Sequence, residues 1–417
     1  MYNKVSLWKQ RSHKQTLSAR GKGSGTMKVE GITMKRIYLD NAATSYPKAP
    51  GVSAAVKRCL DEVGGSINRS GAGSLASAQE LVWETREKIA GLFGFAQPEN
   101  VIFTLNVTQS LNFLLKGLLQ PGDHVIVSSL EHNAVMRPLL QLEKEGVEFS
   151  RVWGDQQGRI EAAQFAQEIK ANTKMVVITH ASNVCGTILP AEEIGALCER
   201  HGLVFIIDAA QTAGVLDIDL AKTKAHAIAF TGHKGLLGPQ GIGGFVLRAE
   251  LAARLEPLIS GGTGSFSEHE YVPPYLPDKF EAGTLNLPGI YGLHAALDYL
   301  EKTGLEAIRQ RESILTEILL EGLAQIEGAK LVGLPTTEGR VAVISVDFPG
   351  RDNGEIAHRL DKDYGIQTRC GLHCSPAAHK TLGTFPQGTV RFSPGPFNTV
   401  EEMQLVIAAV HKLLGEF

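Results

Sequence analysis

The sequence predicts an α/β fold, with a large, mostly parallel sheet covered by helices on both faces and a smaller C-terminal α/β lobe. Three observations carry that prediction. Short apolar runs alternate with helix-like segments between Asn100 and Phe230, the pattern of strands buried on both faces. Polar residues follow those runs directly, where the carboxyl ends of parallel strands open onto a ligand crevice. From about Leu285 the pattern changes to long helices separated by isolated strands.

Taken in order, Asn100–Asn106 is a β-rich run that enters a helix at Ser110–Leu118. His124–Val127 is the second strand and leads to Ser128–Asn133; Lys174–Thr179 is the third and precedes His180–Asn183. Ala191–Arg200 reads as a helix feeding Leu203–Ile207, five apolar residues that stop at Asp208. Ala225–Phe230 then gives way to Thr231-Gly232-His233-Lys234. Farther on, Ile290–Leu300 and Leu305–Ile326 favour helices, Val341–Phe348 a strand and Asn353–Tyr364 a helix. Gly388–Ser393 includes a last strand, and Thr399–Leu414 is a terminal helix. Residues 37–284 are assigned to the large domain and 285–417 to the smaller one, which the first part of the body can join. Gly261–Gly264 and the proline-rich Val272–Pro277 read as loops.

The chain of 417 residues carries 41 Lys plus Arg against 44 Asp plus Glu, a net charge of −3. That balance argues against a dedicated nucleic-acid binder, whose footprint is a strongly basic field. No run reaches the roughly 18 apolar residues of a membrane-spanning helix. Five scattered cysteines form no disulfide framework, which favours a reducing, cytoplasmic setting. Cys370, His373 and Cys374 do not complete a four-ligand metal set, so no metal is expected. Residues 1–36 hold nine of the basic residues and one acid, leaving 32 basic and 43 acidic residues, a balance of −11, in the rest. This segment is expected to be a disordered extension or an over-extended start, with targeting or a basic partner-binding arm as alternatives.

The strongest constellation is His132, Asp208, Gln211, His233 and Lys234, each beside the end of an expected element. A lysine amine can form a Schiff base with pyridoxal phosphate, and an aspartate can keep the pyridine nitrogen protonated so that the ring draws electrons from a substrate carbanion. Each residue alone has an ordinary alternative. Lys234 can be solvated or bind a phosphate, and Asp208 can be a cap or turn acid. Thr108, Thr231 and His233 can supply one anion cradle, or act as an N-cap, a turn former and a structural histidine. His132 can stack on a ring and move protons, or be structural. Asn183 and Gln211 can offer uncharged, directional hydrogen bonds to a ring oxygen, or cap turns.

Seven stretches then resemble the class V, fold-type I PLP-dependent enzymes, in particular their cysteine desulfurase and selenocysteine lyase branch. They are Tyr38-Leu39-Asp40-Asn41-Ala42-Ala43-Thr44, Glu131-His132-Asn133-Ala134, Thr179–Val184, Asp208-Ala209-Ala210-Gln211, Thr231–Lys234, Phe280-Glu281-Ala282-Gly283-Thr284 and Arg369-Cys370-Gly371-Leu372-His373-Cys374. The resemblance spans about Ile37 to Phe417. It implies that Lys234 binds the cofactor covalently, that Asp208 contacts the pyridine nitrogen and that His132 stacks on the ring. Gln211 becomes the ring-oxygen partner and Asn183 a second cofactor-facing and substrate-side group. Thr108, Thr231 and His233 become phosphate ligands. Thr284 resembles a phosphate-site residue supplied by the other subunit, which implies a homodimer.

Cys374 resembles the sulfur-accepting cysteine of this branch; a structural or incidental thiol is its alternative. Nearby Arg369 and His373 are expected to favour its thiolate. Arg391, in Gly388–Ser393, resembles the arginine that receives the amino-acid carboxylate, for which a guanidinium fork is suited, with Arg369 as a lesser contributor. The implied activity is conversion of L-cysteine to L-alanine with transfer of sulfur to Cys374 and then to an acceptor protein or small thiol. L-selenocysteine lyase, another class V aminotransferase or lyase, and a non-enzymatic sulfur-transfer scaffold are the alternatives. Cys370 stands where the related motif often has threonine, and Leu372 makes the loop less histidine-rich. Both departures leave substrate preference open.

Overall fold

The computed structural model describes residues 26–29, 32–63, 74–265 and 268–416. Its largest sheet has seven strands in the order Val101–Thr104, Gly243–Leu247, Ala227–Thr231, Val204–Asp208, Thr173–Thr179, His124–Ser128 and Glu148–Val152. Neighbours run parallel except at Gly243–Leu247, which is antiparallel to both of its partners. Alternate residues of each strand feed two separate cores. Ile126, Val176, Ile178, Phe205 and Ile207 face one; Val125, Val127, Met175, Val177 and Ile206 face the other. That division follows from the two-residue period of a strand, and it explains why these segments read as unbroken apolar runs. Each fully buried aliphatic or aromatic side chain contributes about 1.5–3 kcal/mol.

Two strands of this sheet escape a reading by apolar runs. Glu148–Val152 lies at an edge and is only partly buried, so its polar Glu, Ser and Arg are tolerated. Gly243–Leu247 opens on two glycines, yet it is wholly buried. A Cβ on Gly244 would stand 2.3 Å from the Ile102 carbonyl oxygen, so the close approach of three strands there requires glycine.

A second, antiparallel sheet has the order Lys330–Val332, Ile344–Asp347, Thr389–Phe392 and Arg369–Gly371. Helices Leu305–Ala324, Asn353–Tyr364 and Val400–Gly415 belong with it. They supply a third core around Leu319, Ile356, Leu360, Met403 and Val410. Ile37 and Leu39 join that core, and Ile37–Tyr38 pairs in parallel with Ile366–Gln367. The start of the body therefore packs with the C-terminal unit.

The expected domain boundary at 284/285 falls one helix early. Leu287–Thr303 buries Leu287, Ile290, Leu293, Leu297 and Leu300 in the first core, beside the large sheet. Only from Leu315 do side chains enter the third core. The expected strand Val341–Phe348 also shortens to Ile344–Asp347, because Val341 donates its N–H to Gly186 of the large unit instead. Of the basic segment 1–36, Thr26–Val29 and Ile32–Lys35 form an antiparallel pair. Residues 1–25, 30 and 31 lie outside the described residues.

One buried ion pair anchors the loop that carries Thr284. Arg86 donates through both terminal nitrogens to Glu281, at 2.8 and 2.6 Å, and the same carboxylate accepts the Phe103 N–H at 2.6 Å. The guanidinium also lies over the Phe103 ring, 4.5 Å from its centroid. Arg86→Ala leaves Glu281 charged and buried, and breaking such a pair costs about 3–5 kcal/mol. A denaturant titration is expected to show that loss; a change below about 1 kcal/mol contradicts the anchoring role.

Candidate functional site

The polar residues at the carboxyl ends of adjacent parallel strands converge. Asp208 ends its strand in register with Thr179 on one side and Ala229 on the other. Thr231 ends the neighbouring strand, and His233 and Lys234 follow it in the turn. Gly235 packs that turn against the segment after Asp208: a Cβ there would lie 2.5 Å from the Ala213 carbonyl oxygen. The Asn41–Lys48 turn closes over it. Ser45 donates its N–H to the His233 carbonyl at 2.8 Å, and Lys48 Nζ reaches the same oxygen at 2.9 Å.

Asp208 is buried, and its Oδ1 accepts the Ala210 N–H at 2.9 Å. Burial raises its carboxyl above the usual range, opposed by that amide and by the charge of Lys234. Lys234 lies deep in the crevice, and burial pushes its ammonium down to about 8. Asp208 works against that shift, while Arg391 and Arg369 reinforce it. The lysine is therefore held close to the point where it can act as a neutral nucleophile and as a proton carrier near neutral pH.

His132 caps the helix Asn133–Glu143, its Nδ1 accepting the Ala134 N–H at 3.0 Å, which leaves Nε2 for another partner. Burial, and then the charge of Lys234, hold the ring neutral with a pKa of about 4. His233 is depressed likewise to about 4, first by burial and then by Lys234 and Lys48. The Thr231 hydroxyl and His233 Nδ1 are both buried without a hydrogen-bond partner. Two orphaned polar atoms flanking a lysine fit a ligand that brings its own oxygens, such as a phosphate. Thr108 lies in the first turn of Val107–Lys116 and is exposed. It does not cap that helix: Asn106 does, accepting the Gln109 N–H at 3.0 Å.

Gln211 lies beside Lys234 along a small cavity, and its amide nitrogen donates to the Ala42 carbonyl at 3.0 Å. Asn183 reaches the loop that bears Cys374. Its Nδ2 donates to the His373 carbonyl at 2.6 Å, and its Oδ1 accepts the Ser375 hydroxyl at 2.8 Å. One N–H and one lone pair of the amide thus hold the loop that bears Cys374, which presents an acceptor and a donor at the right spacing. Cys374 itself is exposed, and its carbonyl accepts the N–H of Asn133, next to His132.

His373 cannot favour a thiolate as expected. Its ring is buried against Thr389, 3.2 Å from the hydroxyl, and burial depresses it to about 2, so it carries no charge. Arg369 is exposed and close enough to act on Lys234 and Arg391. Cys370, a free thiol, alternates to the other face of the strand and lies near Gly354.

Arg391 is buried and donates to Asp40 Oδ1 at 2.6 Å and to the Asn183 carbonyl at 3.0 Å. Its Nε is buried without a partner. Asp40 is a site residue that sequence reasoning missed: nothing in its turn-like surroundings reveals an arginine some 350 residues away. Glu131 was missed too. Its Oε1 accepts the Ser128 hydroxyl and the Thr179 N–H, and burial raises it to about 8, so a neutral carboxyl braces the turn before His132. Thr284 is exposed on the segment anchored by Glu281.

Comparison with known proteins agrees with this fold. Residues 37–406 match the family model described as aminotransferase class-V. The chain is 33% identical over 383 residues to a probable cysteine desulfurase of Methanothermobacter thermautotrophicus, covering 91% of this chain and 95% of the relative. It is 32% identical over 390 residues to one of Pyrococcus abyssi, covering 92% and 95%. Its fold is similar to the apo structure of a cysteine desulfurase from Thermococcus onnurineus NA1, with a TM-score of 0.86 and 31% identity over 92% of this chain and 95% of that one.

Proposed function

The chain belongs to the aminotransferase class-V family, and from that premise we propose that it is a PLP-dependent cysteine desulfurase. The observation that supports this reading is that buried Lys234 lies within electrostatic reach of Asp208, Arg391 and Arg369, while the Cys374 carbonyl accepts the N–H beside His132. Bound there, pyridoxal phosphate would supply an electron sink for the substrate carbon and an aldehyde for Lys234. Thr231, His233 and the first turn bearing Thr108 would hold the phosphate, Asp208 the ring nitrogen, and Gln211 the ring oxygen. The orphaned atoms of Thr231 and His233 fit that assignment.

Arg391 orients the amino acid by its carboxylate, using the Nε–H edge that no protein group occupies. Lys234 moves a proton at the substrate carbon. The Cys374 thiolate attacks the substrate sulfur: a sulfur–sulfur bond forms, and the substrate's carbon–sulfur bond breaks with its electron pair left on carbon. In balance, L-cysteine and the Cys374 thiol give L-alanine and a Cys374 persulfide, which an acceptor thiol then relieves of sulfur. A second copy of the chain is part of the proposal, with its Thr284 reaching the phosphate. Exposed Leu258, Ile259 and Tyr271 near that segment support such a contact. No helix among the described residues is long and apolar enough to cross a membrane.

Cys374→Ser tests the assignment. It is expected to bind cofactor normally while sulfide release from L-cysteine falls at least about 10²-fold. Wild-type turnover in that variant, with mass spectrometry finding the sulfur elsewhere, contradicts the role of Cys374.

A further inference from the structure

We propose that Asn183 is a positioning residue that sets Cys374 at a fixed distance from the carboxylate-binding Arg391. This deepens the desulfurase reading and rests on it. One residue touches both halves of the chemistry. The Asn183 carbonyl accepts from Arg391 Nη1 at 3.0 Å. Its side chain holds the two residues flanking Cys374, through the His373 carbonyl at 2.6 Å and the Ser375 hydroxyl at 2.8 Å. Asn183 and Ser375 are both buried, so neither bond is exchanged with bulk water.

The loop needs such a clamp. His373 and Cys374 are consecutive non-glycine residues in the left-handed region, at φ 47 and 62. Side chains occupy that region at a cost of about 1–3 kcal/mol each, and it persists only where the surroundings impose it. Three contacts impose it here: the two from Asn183, and the Cys374 carbonyl accepting the Asn133 N–H at 2.8 Å. The strand end that supplies Asn183 is itself fixed, since the Val184 carbonyl accepts the Ser345 hydroxyl at 2.7 Å. Arg391 and Cys374 are thus referenced to one backbone point. A thiolate attacking a sulfur along a defined line loses about 10²-fold for a 1 Å misplacement.

Asn183→Ala and Ser375→Ala remove the clamp from opposite ends. In each, single-turnover loading of sulfur onto Cys374, read by mass spectrometry after mixing with L-cysteine, is expected to slow about 10- to 100-fold. In Ser375→Ala the visible absorbance of bound cofactor and the KM for L-cysteine are expected to change less than about 2-fold, because that hydroxyl touches neither Lys234 nor Arg391. Amide hydrogen exchange across residues 372–375 is expected to accelerate in both. Wild-type loading rates in both variants overturn the proposal. So does a cofactor-affinity loss in Asn183→Ala alongside normal loading in Ser375→Ala, which assigns Asn183 to the cofactor instead. If the wild-type enzyme places no sulfur on Cys374, the functional reading fails, and unchanged or faster exchange in the variants still decides the clamp.

Discussion

Lys234→Ala is expected to abolish covalent retention of the cofactor and to lower L-alanine formation by about 10²–10⁴-fold from the lost proton transfer alone. The residual rate is expected to rise with added small primary amines, which replace the missing group without restoring its position. The same lysine predicts a pH dependence with a definite sign. Its ammonium is depressed to about 8 by burial, so the reactive neutral amine appears as pH rises through 8 rather than through the range of a free lysine. Reconstitution of apoenzyme with pyridoxal phosphate, followed by absorbance, is expected to accelerate with an inflection near that value. Asp208 opposes the depression, so Asp208→Asn is expected to move the inflection lower. An inflection above 10 in the wild type contradicts the buried site.

The second large effect is at Arg391. Arg391→Lys keeps a cation but loses the fork, and a hydrogen bond to a charged group contributes about 1.5–3 kcal/mol, so kcat/KM for L-cysteine is expected to fall about 10- to 100-fold. Most of that fall is expected in KM, because the carboxylate is bound equally before and during reaction. Arg391→Ala is expected to cost stability as well. It strands Asp40, whose side chain is 20% exposed, against the lower end of the 3–5 kcal/mol typical of a broken buried pair. A variant with unaltered KM rules out Arg391 as the carboxylate anchor.

Strands such as Val204–Asp208 were legible because both faces are buried, and burial on both faces writes an unbroken apolar run into the sequence. Lys234, Asp208 and His132 were legible for a related reason: each stands within a few residues of a strand end, so local order already placed them at one edge. Glu148–Val152 and Gly243–Leu247 were not, since an edge strand tolerates polar groups and a crowded strand needs glycine.

By itself, then, the sequence determined the alternation of helices and strands, the crevice-side lysine and acid, and the family pattern that links them. Those are properties of neighbours along the chain. Only the tertiary structure decided that Asp40 pairs with Arg391, that Asn183 holds the Cys374 loop, that His373 is neutral and that the helix Leu287–Thr303 belongs to the large unit. Hydrogen bonds, burial and the pKa values they set depend on which groups meet across hundreds of residues, and no local pattern of residue types encodes those meetings.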